Sequence, residues 1–233
     1  MYKPIEIFVR HCYYSRNSEL PNRERPEWFS KGACWENLKR TTNHELANIT
    51  VIYDKHFGAV NNKWEYGITS IEEINCGTEA GSFLATLEAV KRKNLPPGTI
   101  VYLLEDDYLH RPGWCEVLME AFTLPVHYVT LYDHLDKYLH YPALLSRLYA
   151  TETCHWRTTP STTNTYACKV SRLIADTDTH EQYSIHSNNG VSRDSEKFER
   201  LTNLDRILIS SVPGYSTHCD GLMSPTINWK KYV

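Results

Sequence analysis

The sequence predicts an α/β fold: a mostly parallel central sheet flanked by helices, followed by a smaller mixed second half. Three observations predict it. In the first half, apolar strand-like runs alternate with segments of helical period, the pattern of a parallel sheet with crossover helices. The apolar residues of those strands are bunched rather than alternating, as in strands covered on both faces. One such run ends abruptly in three carboxylates, Glu105-Asp106-Asp107.

The elements follow in order. Ile5 to Val9 reads as the first strand and runs into Arg10 and His11. Asn17 to Pro26 is polar, with two prolines, and reads as loop. Trp35 to Arg40 suits a short helix. Ile49 to Tyr53 is the second strand and ends at Asp54. Asn61 to Gly67 reads as loop. Thr78 to Lys93 carries Ala80, Phe83, Leu84, Leu87 and Val90 at three- and four-residue steps, which predicts a helix. Lys91, Arg92 and Lys93 complement its C-terminal dipole, and Pro96-Pro97-Gly98 stops it. Ile100 to Leu104 is the strand that meets the acidic triplet, and Trp114 to Phe122 is a helix after Pro112-Gly113.

The second half is less regular. His127 to Leu131 reads as a strand, and Leu145 to Tyr149 with Thr151 to Cys154 as edge-strand material. A Thr-rich loop, Thr158 to Thr165, precedes a helix expected from Tyr166 to Ala175. Arg193 to Leu201 reads as a polar helix, and Ile207 to Ser211 as the last strand, closed by Pro213 and Gly214. Asp176-Thr177-Asp178 follows a helical pattern and reads as a solvated helix end. There is no internal repeat and no clean linker. One domain over 1–233 is expected, with a nucleotide-binding half, 1–110, and an acceptor-binding half, 111–233.

Composition narrows the function classes. A formal net charge of −3 argues against gripping a nucleic-acid backbone by charge. A mean hydropathy of −0.49, with Ile100 to Leu104 the longest apolar run, leaves no membrane span. The seven cysteines are odd in number, widely spaced and free of any CxxC, the usage of reduced thiols in a cytoplasmic protein. Nothing at the N-terminus reads as a signal peptide.

The acidic triplet is the most informative segment. In open α/β sheets, ligands bind beyond the carboxyl ends of strands. Three adjacent anions there repel one another unless a cation lies among them. Hard oxygen donors select Mg2+ or Mn2+, which commonly binds one or two carboxylates plus substrate phosphates. The competing structural reading is a solvated acidic turn before the next helix.

A buried strand near residue 100 ending in Glu105-Asp106-Asp107 resembles the DxD-type motif of glycosyltransferases with the GT-A fold, in particular family-2-like nucleotide-diphospho-sugar transferases. The segment Pro213-Gly-Tyr-Ser-Thr-His218 resembles the late strand and loop that supply a metal-ligating histidine. The triplet opens with Glu rather than Asp, and Asp107 is the best single metal contact. The resemblance implies Mn2+ or Mg2+ held by Glu105, Asp107 and His218, with Asp106 alongside on the donor. It implies a UDP- or GDP-sugar whose base and ribose lie near Arg10, Asp54, Gly77 and Thr78. It also implies a saccharide or glycoconjugate acceptor and, for an inverting enzyme, a general base in the second half.

Asp194 and Glu196, at a helix start, are the candidates for that base, with helix capping the competing role for Asp194. Trp114, Trp156 and Tyr166 are candidates for stacking on sugar faces. Self-association as a homo-oligomer stays open. A nucleotidyltransferase is the first rival, and it typically carries a Gly-rich basic loop near its N-terminus that this chain lacks. A non-catalytic carbohydrate-binding domain is the second. No GxSxG elbow supports a hydrolase.

Overall fold

In the computed structural model, residues 2–13, 24–56 and 70–233 are described. The expected loop at Asn61 to Gly67, and all but the end of the one at Asn17 to Pro26, lie outside them.

Strands β1 (Ile5–Cys12), β2 (Ala47–Asp54), β3 (Ile71–Ile74) and β4 (Ile100–Glu105) build one flank of a nine-stranded sheet. They run parallel in the order β3-β2-β1-β4. The sheet continues through β9 (Tyr166–Lys169), β6 (Tyr128–Thr130), β10 (Leu208–Val212), β8 (His155–Thr158) and β7 (Leu148–Ala150). β9 is antiparallel to both its neighbours, while β6 and β10 are parallel to each other. β8 and β7 close the far edge as an antiparallel ribbon. A separate two-stranded ribbon pairs β5 (Tyr108–His110) with β11 (Ser216–His218).

The central strands have two apolar faces, and successive residues feed different cores. On β1, Ile5, Ile7 and Val9 enter one core and Phe8 the other; on β4, Ile100, Tyr102 and Leu104 oppose Val101 and Leu103. The first core is covered by α1 (Lys31–Thr41), through Trp35 and Leu38, and by α3 (Trp114–Ala121). The second is covered by α2 (Glu79–Arg92), through Phe83, Leu87 and Val90, by α5 (Val170–Ala175), and by α7 (Asp194–Thr202), through Phe198 and Leu201. Two short helices, α4 (Asp136–Leu139) and α6 (Thr177–Ile185), complete the described elements with a C-terminal 3-10 turn at Trp229–Tyr232.

Several expectations are corrected. The helix read over Tyr166 to Ala175 is a strand for its first four residues and helical only from Val170. Tyr166, Ala167 and Cys168 are wholly buried between β4 and β6, where strand pairing overrides local propensity. Leu208–Val212 is not the last strand, because β11 follows it. The edge strands lie a few residues beyond the expected Leu145 to Tyr149 and Thr151 to Cys154. Asp176 is not a solvated helix end. It is buried between α5 and α6, accepts hydrogen bonds from Arg206 and from the Tyr128 hydroxyl at 2.8 Å, and is thereby neutralised.

Candidate functional site

Parallel pairing sets β1, β2 and β4 with their carboxyl ends on one rim. Arg10 stands opposite Glu105 in register, and Cys12 opposite Asp54. That rim is where the sequence places its polar residues, so chain order alone delivers Arg10, His11, Asp54 and the triplet to one edge.

The three carboxylates of the triplet diverge. Glu105 turns toward β1 and the residues before β9, with Oε1 3.2 Å from Arg10 Nη2 and Oε2 accepting from Thr165 Oγ1 at 3.1 Å. Asp106 turns to the first helix. Its Oδ2 lies 2.5 Å from His11 Nδ1 and 2.8 Å from Lys31 Nζ. Asp107 turns to the β5–β11 ribbon, where Oδ2 accepts from Arg25 Nη2 at 2.7 Å and from His218 Nε2 at 2.8 Å. The antiparallel register of His218 with Tyr108 makes this last contact, and the Cys219 amide donates to the Asp107 carbonyl at 2.9 Å. His218 Nδ1 is held by Asp220 at 2.6 Å.

Ionisation follows the pairing. Burial alone would raise the Asp107 carboxyl, but His218 and Arg25 hold it far below the usual carboxylate range. Burial would lower His218, and Asp107 with Asp220 instead raise it to about 10. Burial opposes ionisation of Asp106 too, and Lys31 with His11 overcomes it. Glu105 differs: burial dominates over Arg10, and its carboxyl is raised.

Below the rim lies a second polar cluster. Arg10 Nη1 donates to the Glu79 carboxylate and, at 3.2 Å, to the Glu79 carbonyl, while its guanidinium lies over the Phe83 ring. Glu79 also accepts from Asn164 Nδ2 and from the Ser192 amide, both at 2.8 Å. Burial would raise Glu79, but Arg10 and these two donors bring it down to about 2. Lys197, fully buried, donates to Asn164 Oδ1 and lies 3.4 Å from Asp194 Oδ1. Asp194 is the first residue of α7 and makes no capping bond; Arg193 is the N-cap. Burial raises its carboxyl, Lys197 opposes, and Glu79 and Glu105 push it further, to about 7.

The structure thus brings Asp194, Glu105 and Arg10 within electrostatic reach of one another, and Asp107 beside His218. Glu196 is elsewhere. It is exposed on the outer face of α7 and pairs with Arg193 at 3.2 Å. Asp54 uses both oxygens on backbone, accepting from the His56 and Cys76 amides at 3.1 Å and the Gly77 amide at 2.8 Å. Gly77 has φ +71°, and a Cβ there would stand 2.4 Å from the His56 ring. Thr78 caps α2 through the Gly81 amide at 3.0 Å, and the Ala80 amide is bound by the Gly190 carbonyl. The proposed sugar-stacking residues Trp114, Trp156 and Tyr166 are corrected: all three are core side chains with no exposed face.

Sequence reasoning missed His11, Arg25, Lys31, Glu79, Asn164 and Lys197. Arg25 sits in a segment read only as polar loop. Lys197 alone left a signal, a lysine four residues before Leu201 on the apolar stripe of a helix.

The residues fit a divalent cation in part. Among the described residues, no group of three or more His, Cys, Asp or Glu side chains is arranged to hold a metal. Asp107 Oδ1, however, is buried without a hydrogen-bond partner and adjoins His218. His218, by contrast, has both ring nitrogens on carboxylates and is held protonated, so as placed it offers a metal no lone pair.

No known protein family matches the chain, and no curated protein matches it in sequence. Solved structures do resemble it. CMP-2-keto-3-deoxy-manno-octonic acid synthetase in complex with CTP superposes at TM-score 0.50 with 14% identity, over 91% of this chain and 92% of that one. 4-Diphosphocytidyl-2C-methyl-D-erythritol synthase from Anaerococcus prevotii gives 0.47 and 12%, over 90% and 87%. The galactosyltransferase LgtC, with donor and acceptor sugar analogues, gives 0.40 and 11%, over 83% and 68%. At such identities the likeness is one of fold. The architecture is a GT-A-like, Rossmann-type α/β fold.

Proposed function

We propose that this chain is a glycosyltransferase that moves a sugar from a nucleotide-diphosphate donor to a hydroxyl of a saccharide or glycoconjugate acceptor, with inversion. One observation carries the reading. A carboxyl from the second half, Asp194, shares a buried polar pocket with the carboxyl end of β4 and is lifted to about 7. A base poised near neutrality is what deprotonating an acceptor hydroxyl requires.

The remaining roles follow from position. Asp107 Oδ1 would be the contact to Mn2+ or Mg2+, and His218 would join it only on giving up its proton and its bond to Asp107. Such a cation, when bound, stabilises the charge that develops on the departing nucleoside diphosphate. Arg25 and Lys31 flank that charge from the first helix and the segment before it. Glu105 does not belong to the cation set; with Arg10 it links the rim to the pocket of Asp194. Asp54, Gly77 and Thr78 shape the turn into α2 beside the nucleotide, and Asp54 does so through backbone amides. Residues 1–110 serve the donor and 111–233 the acceptor. A cytoplasmic setting suits the free thiols, and no helix among the described residues is long and apolar enough to cross a membrane.

The test is a panel of UDP-, GDP- and CMP-sugars with manganese, read as nucleotide release with and without saccharide acceptors. Nucleoside diphosphate release that Asp107→Ala and EDTA abolish supports the reading. Pyrophosphate release from CTP and a sugar acid would replace it with a nucleotidyltransferase. Native-state stabilisation by donors with no turnover would leave a binding domain.

A further inference from the structure

Lys197 has no exposed surface, and burial lowers the pKa of its ammonium while Asp194 and Glu79 oppose that fall. Its Nζ lies 4.7 Å from the centroid of Phe83, 5.1 Å from Tyr166 and 5.3 Å from Phe198, a three-sided aromatic cage. The fourth side is polar, with Asn164 Oδ1 and, at 3.4 Å, Asp194 Oδ1. Aromatic faces and one amide soften the cost of burying that charge but do not remove it. An apolar side chain of the same length would pack the cage at least as well, so stability alone does not account for a lysine. Lys197 is sealed from any substrate. Asp194, three residues earlier on the same helix, keeps 26% of its side chain exposed. Of its two polar partners Asn164 is buried and Asp194 reaches the surface, so the cation meets substrate through that carboxylate.

We propose that Lys197 is a positioning residue, which from its aromatic cage aims the Asp194 carboxylate at the acceptor and favours its ionised form. The role rests on the reading of Asp194 as the base. Charged groups face Asp194 from four elements: Lys197 on α7, Glu79 on α2, Glu105 on β4 and Arg10 on β1. Two are anions that favour its protonation. Without Lys197, Arg10 alone would oppose them, and Arg10 is already engaged by Glu79 and Glu105.

The test has two arms. The full chain labelled with 13C-carboxyl aspartate is titrated by NMR, with Asp194→Asn assigning the resonance. In Lys197→Met the Asp194 midpoint should rise by about one pH unit or more. Lys197→Arg should return it toward the wild-type value. In the rate arm, Lys197→Met should lower turnover roughly fivefold at pH 7, recover it about one unit higher, and leave donor affinity unchanged. Recovery at higher pH separates a lost cation from general damage. Should the methionine variant fail to fold, Lys197→Gln, which keeps a donor for both partners without the charge, carries the same comparison. An unmoved midpoint in a folded variant overturns the proposal. A wild-type chain that turns over no donor overturns the transferase reading instead, while the titration still decides the coupling of Lys197 to Asp194.

Discussion

Asp194 is a carboxyl that Glu79 and Glu105 push toward protonation and that Lys197 and Arg10 push toward ionisation. Its raised pKa has two consequences of opposite use. For a base, turnover should rise with pH through about 7, as the carboxylate forms. For the fold, the sign runs the other way. A carboxyl whose pKa rises from 3.8 to about 7 contributes stability that is fully present below 3.8 and lost as pH rises through 7. Asp194→Asn should therefore flatten the fall in melting temperature between pH 5 and 8, measured by scanning calorimetry. The same variant should lower kcat by roughly 100-fold or more while donor affinity stays within about twofold. A wild-type rate would remove Asp194 from the chemistry. At this scale the sequence showed the triplet and His218, because carboxylates after an apolar strand and a histidine after a late strand are visible as text. Arg25 and Lys31 were hidden, because charged residues in loops and helices are ordinarily solvated and their pairing is tertiary, while Lys197 showed only as a lysine on an apolar stripe.

Elements hold these residues through a few buried contacts. Asn37 on α1 donates to the carbonyls of His110 and Tyr232, both at 2.9 Å, and accepts from the His110 amide at 2.7 Å. It fastens β5, and with it the β5–β11 ribbon that sets His218 against Asp107. Asn37→Ala should cost about 2 kcal/mol or more, since it leaves a buried amide unpaired. Chemical denaturation measures that loss, and a weakened manganese response would show that the ribbon has shifted. Gly77 is the other fixed point. Its positive φ and the nearby His56 ring leave no room for a Cβ, so Gly77→Ala should cost about 1–3 kcal/mol by the same measurement. The long elements were readable from periodicity and stop signals: α2 begins one residue after the expected Thr78 and ends one before Lys93. Short strands were not. β5 and β11 have three residues each, too few for a period, and β9 presents an apolar run that suits helix and strand alike.

For the whole molecule, strand order matters more than strand content. β9, from the second half, pairs with β4 of the first, so one sheet runs without a break across both halves. Unfolding should then be one cooperative transition, with tryptophan fluorescence and far-ultraviolet dichroism coinciding in denaturant. Two separated transitions would show that the halves are independent. The alternation of strands and helices made the parallel first half legible. The insertion of β9 was not legible, because nothing in a four-residue strand records which neighbours it will have.

That insertion also has a topological effect. A strand running against its neighbours begins where they finish, so the residues just before β9, Asn164 and Thr165, arrive at the rim that β1 and β4 reach with their last residues. On the proposed reading, exchanging the threonine-rich lead-in, 158–165, would alter what enters beside Glu105 while β1 and β4 are left untouched.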